Sequence, residues 1–150
     1  MEVTCSRHIN APTETVWALI TDLEAFPRTV SGIESVERLD DGSGFGPGTI
    51  WRETRIMFGR TATEDMRVTA FEPGHSYVVE ASSHGAEYRT SQRVEPDVDG
   101  SLLTMTFSGK ATGTMAKVMS ATIGRFFVKA TRKVFEQDLA DIEFAAEAQA

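Results

Sequence analysis

Apolar residues along this chain keep two rhythms, and the change between them gives the architecture. From Thr114 to about Glu147 there is no proline, and Gly124 is the one interior glycine. Met115, Met119, Ile123, Phe126, Ala130, Val134, Leu139 and Ile142 recur there mostly in steps of three and four. That spacing predicts one long α-helix with a single apolar stripe. Such a rod, roughly 50 Å long at 1.5 Å per residue, needs a broad partner to cover its stripe.

The partner lies in the earlier part of the chain, where the period falls to two. Val3, Cys5 and Ile9 predict a first strand over 2–10. Asn10-Ala11-Pro12-Thr13-Glu14 then opens a helix carrying Val16, Leu19, Ile20 and Leu23, with Trp17 beside them. Pro12 suits a first helical turn and Asn10 a capping position. A second short helix, with Asp22 as its expected cap, ends near Phe26-Pro27. From Ile33 onward short β-rich runs alternate with turn residues: 33–39, 49–58, 61–71, 77–83, 86–94 and 102–110. Turn-length connections imply antiparallel hairpins. Ala62, Met66, Val68 and Ala70 alternate with polar residues, as do Leu103, Met105 and Phe107, while Tyr77, Val79 and Ala81 mark a third inward face. The prediction is an α+β fold in which one face of an antiparallel sheet is covered by the long helix.

Composition narrows the function classes. With 150 residues, 41% hydrophobic and 25% charged, a single domain over 1–150 with a true core is expected. The net charge of −7 argues against nucleic acid as a partner. A lone cysteine, Cys5, fits a reducing cytoplasm. The N-terminal residues lack a signal-peptide pattern, and no apolar run is long enough for stable membrane insertion.

The order of elements, the opening NAPTETVWALITDLEAFP, the glycine-rich GFGPGT, and the later FEPG and VEPDVDGSLLTMTF resemble the START/Bet v 1-like (SRPBCC) superfamily. Within it the likeness is to the bacterial polyketide cyclase/dehydrase and lipid-transport branch. The resemblance covers nearly the whole chain. It implies the helix-grip fold, a seven-stranded antiparallel sheet wrapped around a long C-terminal helix with two short helices after strand 1, leaving an apolar cavity. Its motifs are scaffold motifs and do not choose between binding and catalysis.

Candidate chemistry is accordingly sought inside that cavity. Glu64 shares the inward parity of Met66, and Tyr88, Thr90 and Gln92 share that of Val94. Glu53 has the parity of Trp51 and Met57, but Ile50, Ile56 and Phe58 occupy the other, so its direction is undecided. Tyr88, Glu64 and Glu53 are the candidate acid/base residues, against the plainer expectation that they are solvated or paired with Arg52, Arg55 or Arg89. Met57, Met66, Met105, Met115 and Met119, with Trp17, Tyr88, Thr90, Phe126 and Phe127, are the expected ligand-binding wall, methionine suiting varied apolar shapes.

Other motifs read as structure. The GSGFGPG loop at 42–48 precedes a strand rather than a helix, so it is a hairpin loop and not a phosphate cradle. His8, His75 and His84 have no ligand spacing, and neither metal nor cofactor is expected. Ser82, Ser83 and His84 do not make a nucleophile elbow. Arg125, Lys129, Arg132 and Lys133 read as a solvated helix face. The acidic run Glu136 to Glu147 opposes the helix dipole, predicting fraying beyond about Ala145. The leading expectation is therefore a binder of a hydrophobic small molecule. The alternatives are an aromatase/cyclase working on a poly-β-keto chain, and an interaction module using the outer sheet face, where Arg67, Thr69 and Arg93 look polar.

Overall fold

The computed structural model describes residues 1–83, 85–112 and 121–149. His84, Met115, Met119, the segment 114–120 of the expected long helix, and the Ile123 side chain lie outside them. The order is β1 (Glu2–Ile9), α1 (Thr13–Ile20), a 3-10 turn (Leu23–Ala25), α2 (Phe26–Thr29), β2 (Ile33–Arg38), β3 (Ile50–Met57), β4 (Arg60–Glu72), β5 (Ser76–Ser83), β6 (Ala86–Asp97), β7 (Gly100–Ala111) and α3 (Ala121–Gln149). The strands form one seven-stranded antiparallel sheet in the order β1-β7-β6-β5-β4-β3-β2. Consecutive hairpins build the middle, while α1 and α2 carry the chain from one edge strand to the other. No described helix is long and apolar enough to cross a membrane.

Strict alternation sets which face is buried. Along β7, Leu103, Met105 and Phe107 are buried while Leu102, Thr104 and Thr106 are only half-buried. On β4 the alternation breaks. The register shifts between Val68 and Ala70, so Val68 is buried, Ala70 is exposed, and Phe71 turns inward to meet Trp17 and Phe45. The expectation that Ala70 faces inward is thus corrected by a β-bulge, whose one extra residue moves everything after it to the opposite face. The turn joining β3 to β4 has positive φ at both Phe58 (54°) and Gly59 (76°). This is the twist a two-residue hairpin needs, although a bulky aromatic is uncommon at its first position.

The long helix also departs from its sequence-derived phase. Its buried residues are Thr131, Phe135, Asp138, Leu139, Ile142 and Ala146. Phe126 is 74% exposed. It lies roughly 140° round the helix from Leu139 at 3.6 residues per turn. Counting only apolar residues passes over Thr131 and Asp138, which occupy the buried stripe, and so rotates the inferred face. The helix does not fray at Ala145. Ala146 is fully buried, Glu143 pairs with Arg7 at 3.1 Å, and Glu147 accepts the Asn10 backbone N–H at 3.0 Å. Donors from the end of β1 and just beyond it satisfy carboxylates that the helix dipole disfavours. Asn10 accordingly does not cap α1, where Pro12 holds the capping position without a side-chain bond, and Asp22 makes none either.

His8 closes this corner. Its Nδ1 lies 3.0 Å from Asp97 Oδ2 and its Nε2 lies 2.9 Å from Asn10 Oδ1. Two oxygen acceptors suit an imidazolium, and these hydrogen bonds raise the His8 pKa above 6.5 while holding Asp97 below its usual range. The raised value means that the contact stabilises fully below the unfolded value and is lost as pH climbs through the folded one. His8→Gln should therefore lower the melting temperature most near pH 5.5, with the deficit shrinking toward pH 8.5. Thermal unfolding across that range checks it, and a pH-independent deficit would count against the ion pair.

Candidate functional site

Between the inward face of the sheet and α3 lies a cavity of about 610 Å³. Its apolar wall includes Met57, Met66, Val79, Met105, Phe107, Phe127, Phe135 and Ile142, with Leu19, Ile20 and Phe26 from the short helices. The lining residues Phe58, Arg60 and Thr61 are exposed, which puts an opening beside the β3–β4 turn. There the Phe58 ring meets Phe127 edge-on at 5.7 Å.

The polar groups are concentrated on part of this wall. Odd-numbered residues of β3 face inward, so Trp51 and Glu53 are both buried and Arg55 lines the cavity. Trp51 Nε1 donates to Glu53 Oε1 at 3.2 Å. Arg55 bridges sheet and helix, donating through Nη2 to Asp138 Oδ2 at 3.0 Å and facing Glu53 Oε2 through Nε at 3.4 Å. The second approach has ion-pair length but poor alignment, leaving Arg55 Nε without a hydrogen bond. Burial pushes Asp138 up to about 6 despite Arg55, which pulls the other way. Nearby, Tyr77 donates to the Ile20 carbonyl at 2.7 Å and accepts from Gln92 Nε2 at 3.1 Å.

On another part of the wall Tyr88 stacks on Phe107 at 5.6 Å, with Thr90 and Glu64 also lining the space. Burial, and then the charge of Glu64, raise the Tyr88 pKa, so its phenol is a hydrogen-bond donor at neutral pH.

Of the residues expected at the wall, Met57, Met66, Tyr88, Thr90, Met105 and Phe127 line the cavity, as do Glu53 and Glu64. Phe126 does not, for the helical-phase reason above. Trp17 does not either. It stands one layer back, packing its ring on Phe71 at 5.6 Å and on Tyr77 at 6.0 Å, because Val16 and Ile20 hold the innermost face of α1. Met115 and Met119 fall outside the described residues. The direction of Glu53, open from sequence, is inward.

Sequence reasoning missed Phe135 and Asp138, and gave Arg55 only as a possible partner. Arg55 was legible in principle, since it shares the parity of Trp51, Glu53 and Met57. Asp138 had no local signal. An acidic residue within an acidic run reads as solvent-facing until its partner on β3 is known.

The 42–48 loop is held by its own packing. Phe45 sits among Phe26, Trp51, Phe71 and Tyr77, and Arg38 donates to the Gly44 carbonyl. The described residues contain no cluster of side chains suited to a metal ion.

Comparison with known proteins agrees with this geometry. The family described as polyketide cyclase/dehydrase and lipid transport matches residues 1–147. No curated protein sequence matches the chain. Among solved structures, TTHA0849 from Thermus thermophilus aligns at a TM-score of 0.81 and 20% identity, covering 100% of this chain and 99% of that one. A START superfamily protein from Mycobacterium smegmatis aligns at 0.79 and 16% identity, covering 99% of each. The ZhuI aromatase/cyclase from Streptomyces sp. R1128 aligns at 0.78 and 18% identity, covering 99% of this chain and 94% of that one. These likenesses establish the helix-grip fold, and the chain belongs to the polyketide cyclase/dehydrase and lipid-transport family.

Proposed function

We propose that this protein binds a hydrophobic small molecule, a lipid, polyketide or other aromatic, non-covalently in the cavity between sheet and α3. The observation that carries this is a space of about 610 Å³ with apolar walls and a few placed polar groups, within the range of small-molecule sites. Met57, Met66, Met105 and Phe127 supply adaptable contact, while Tyr88 and Thr90 offer hydrogen bonds. Burying a ligand at about 25 cal/mol per Å² of apolar surface gives useful affinity with no reactive group. We place this activity in one domain spanning 1–150 and, on the strength of the single free Cys5, in the cytoplasm.

Native mass spectrometry of freshly purified protein should show a co-purified small molecule, and titration with the neutral dye Nile red should saturate. Met105→Trp, which fills the space from the sheet side, should weaken dye binding tenfold or more while the protein still melts cooperatively. Non-saturable dye binding, or an affinity unchanged by Met105→Trp, would remove the cavity as the binding site.

A second function rests on the titratable groups on the same walls. Tyr88 holds its proton beside Glu64, and Asp138 sits near 6, where a group exchanges protons readily at neutral pH. A cavity that folds a poly-β-keto chain into reactive geometry needs little more than such a donor and acceptor. The ZhuI aromatase/cyclase has the same fold. Glu53, clasped by Trp51 and Arg55, is the least free of the candidates to move a proton. If Tyr88→Phe and Glu64→Gln leave the product distribution from a poly-β-keto substrate unaltered by mass spectrometry, cyclase chemistry through these groups is excluded.

A further inference from the structure

The charge of α3 changes sign half-way along it. Ala121 to Lys133 carries four cations and no acid, and Val134 to Gln149 carries five acids and no cation. The fold uses the two halves differently. Four of the five acids are engaged: Asp138 with Arg55, Asp141 with Ser31, Glu143 with Arg7, and Glu147 with the Asn10 backbone N–H. Of the cations, Arg132 donates to the Thr4 carbonyl at 2.9 Å. None of the four is ion-paired among the described residues, and all are exposed.

These cations share a face. At 3.6 residues per turn, Arg125, Lys129, Arg132 and Lys133 fall within an arc of roughly 100° turned away from the buried stripe, with Phe126 just beyond Lys133. The Phe126 side chain is 74% exposed. The next residue, Phe127, meets the half-exposed Phe58 at the cavity opening. An open groove of about 530 Å³ lies between Met1 and this part of the helix, with Val128 lining it and Arg125, Lys129 and Arg132 along it.

We propose that the first half of α3 is a peripheral docking surface for an anionic lipid bilayer, with the Phe126 ring entering the headgroup layer among the cations. Unpaired cations around an apolar ring match a surface that offers negative headgroups with hydrocarbon beneath them. The net charge of −7 does not oppose this, because at physiological salt charges farther than about 8 Å are screened. A second copy of the chain fits less well, since most acids of its helix are already engaged. The proposal concerns the outside of the molecule and does not depend on what fills the cavity.

The test is co-sedimentation with vesicles of phosphatidylcholine alone or with about 30% phosphatidylserine. At about 50 mM salt the wild type should prefer the anionic vesicles about tenfold or more, and the preference should disappear by about 300 mM. Lys129→Gln with Lys133→Gln should weaken anionic binding about tenfold or more, each cation being worth about fivefold. Arg67→Gln with Arg89→Gln removes two exposed cations from the outer sheet face and should change binding less than about threefold. Phe126→Ser should weaken it severalfold with the salt dependence intact. Lys129→Ala with Lys133→Ala replaces the glutamine pair if that variant does not melt cooperatively. Equal partitioning onto the two vesicle types, or equal losses in the helix and sheet variants, overturns the proposal. Self-association without vesicle binding, abolished by the lysine substitutions, would give the face to a second copy instead. Nile red is titrated without vesicles, so failure of the cavity function and failure of this surface are read separately.

Discussion

Arg55→Met is expected to destabilise the protein by about 3–5 kcal/mol at pH 7.5, the usual result of stripping a buried pair of one partner. Arg55, Glu53 and Asp138 have side chains only 11%, 9% and 7% exposed. Removing the guanidinium therefore leaves two carboxylates facing each other out of water. The loss should shrink at pH 5. Asp138 has a folded pKa of about 6 against an ordinary 3.8, so the folded state binds the extra proton. The penalty for its charge is absent below about pH 4 and complete above about 6 in the wild type, and without Arg55 that upper limit moves higher still. Urea unfolding at the two pH values measures this. Glu53→Gln combined with Arg55→Met and Asp138→Asn should recover most of the stability, because no buried charge then lacks a partner. An equal loss at pH 5 and 7.5 would point instead to lost packing of the arginine stem.

Leu139→Ala should cost a similar amount, about 3–5 kcal/mol, by a different route. Leu139 is fully buried on α3, but it is not among the residues lining the cavity. Its truncation should lower the urea midpoint while leaving Nile red affinity within about threefold. Phe144, 80% exposed on the same helix, provides the contrast, and Phe144→Ala should change stability by less than about 0.5 kcal/mol. A comparable loss at both positions would contradict this helical phase.

Sequence and structure diverge where polarity and burial part company. The strands were legible as β-rich runs between turn residues, and the buried face of several followed from period-two alternation, because a sheet covered on one face repeats its instruction at each second residue. The exception, Ala70, follows a bulge that leaves no mark in composition. On α3 the existence of the helix was equally plain, yet its buried face was not, since Thr131 and Asp138 stand where a pattern reader expects leucine. Within the site, Met66, Met105, Tyr88 and Thr90 could be assigned to the inner face by parity alone. The Arg55–Asp138 pair joins residues 83 positions apart, and no local rule couples such distant charges. Glu53 shows the same limit, its orientation being fixed only by Trp51 and Arg55 acting together.

The strand order carries a consequence for how the molecule comes into being. Val3 pairs with Phe107, and the hydroxyls of Thr4 and Thr106 meet across 102 positions of sequence. Within this sheet β1 thus waits for β7 before it has a neighbour, while β3 to β6 zip locally as hairpins. Until β7 emerges, Val3, Cys5 and Ile9 form an unpaired apolar ribbon, open to a second nascent chain. Closure of this register is a late, long-range step that slows folding, so crowded synthesis threatens this protein most at its amino-terminal edge.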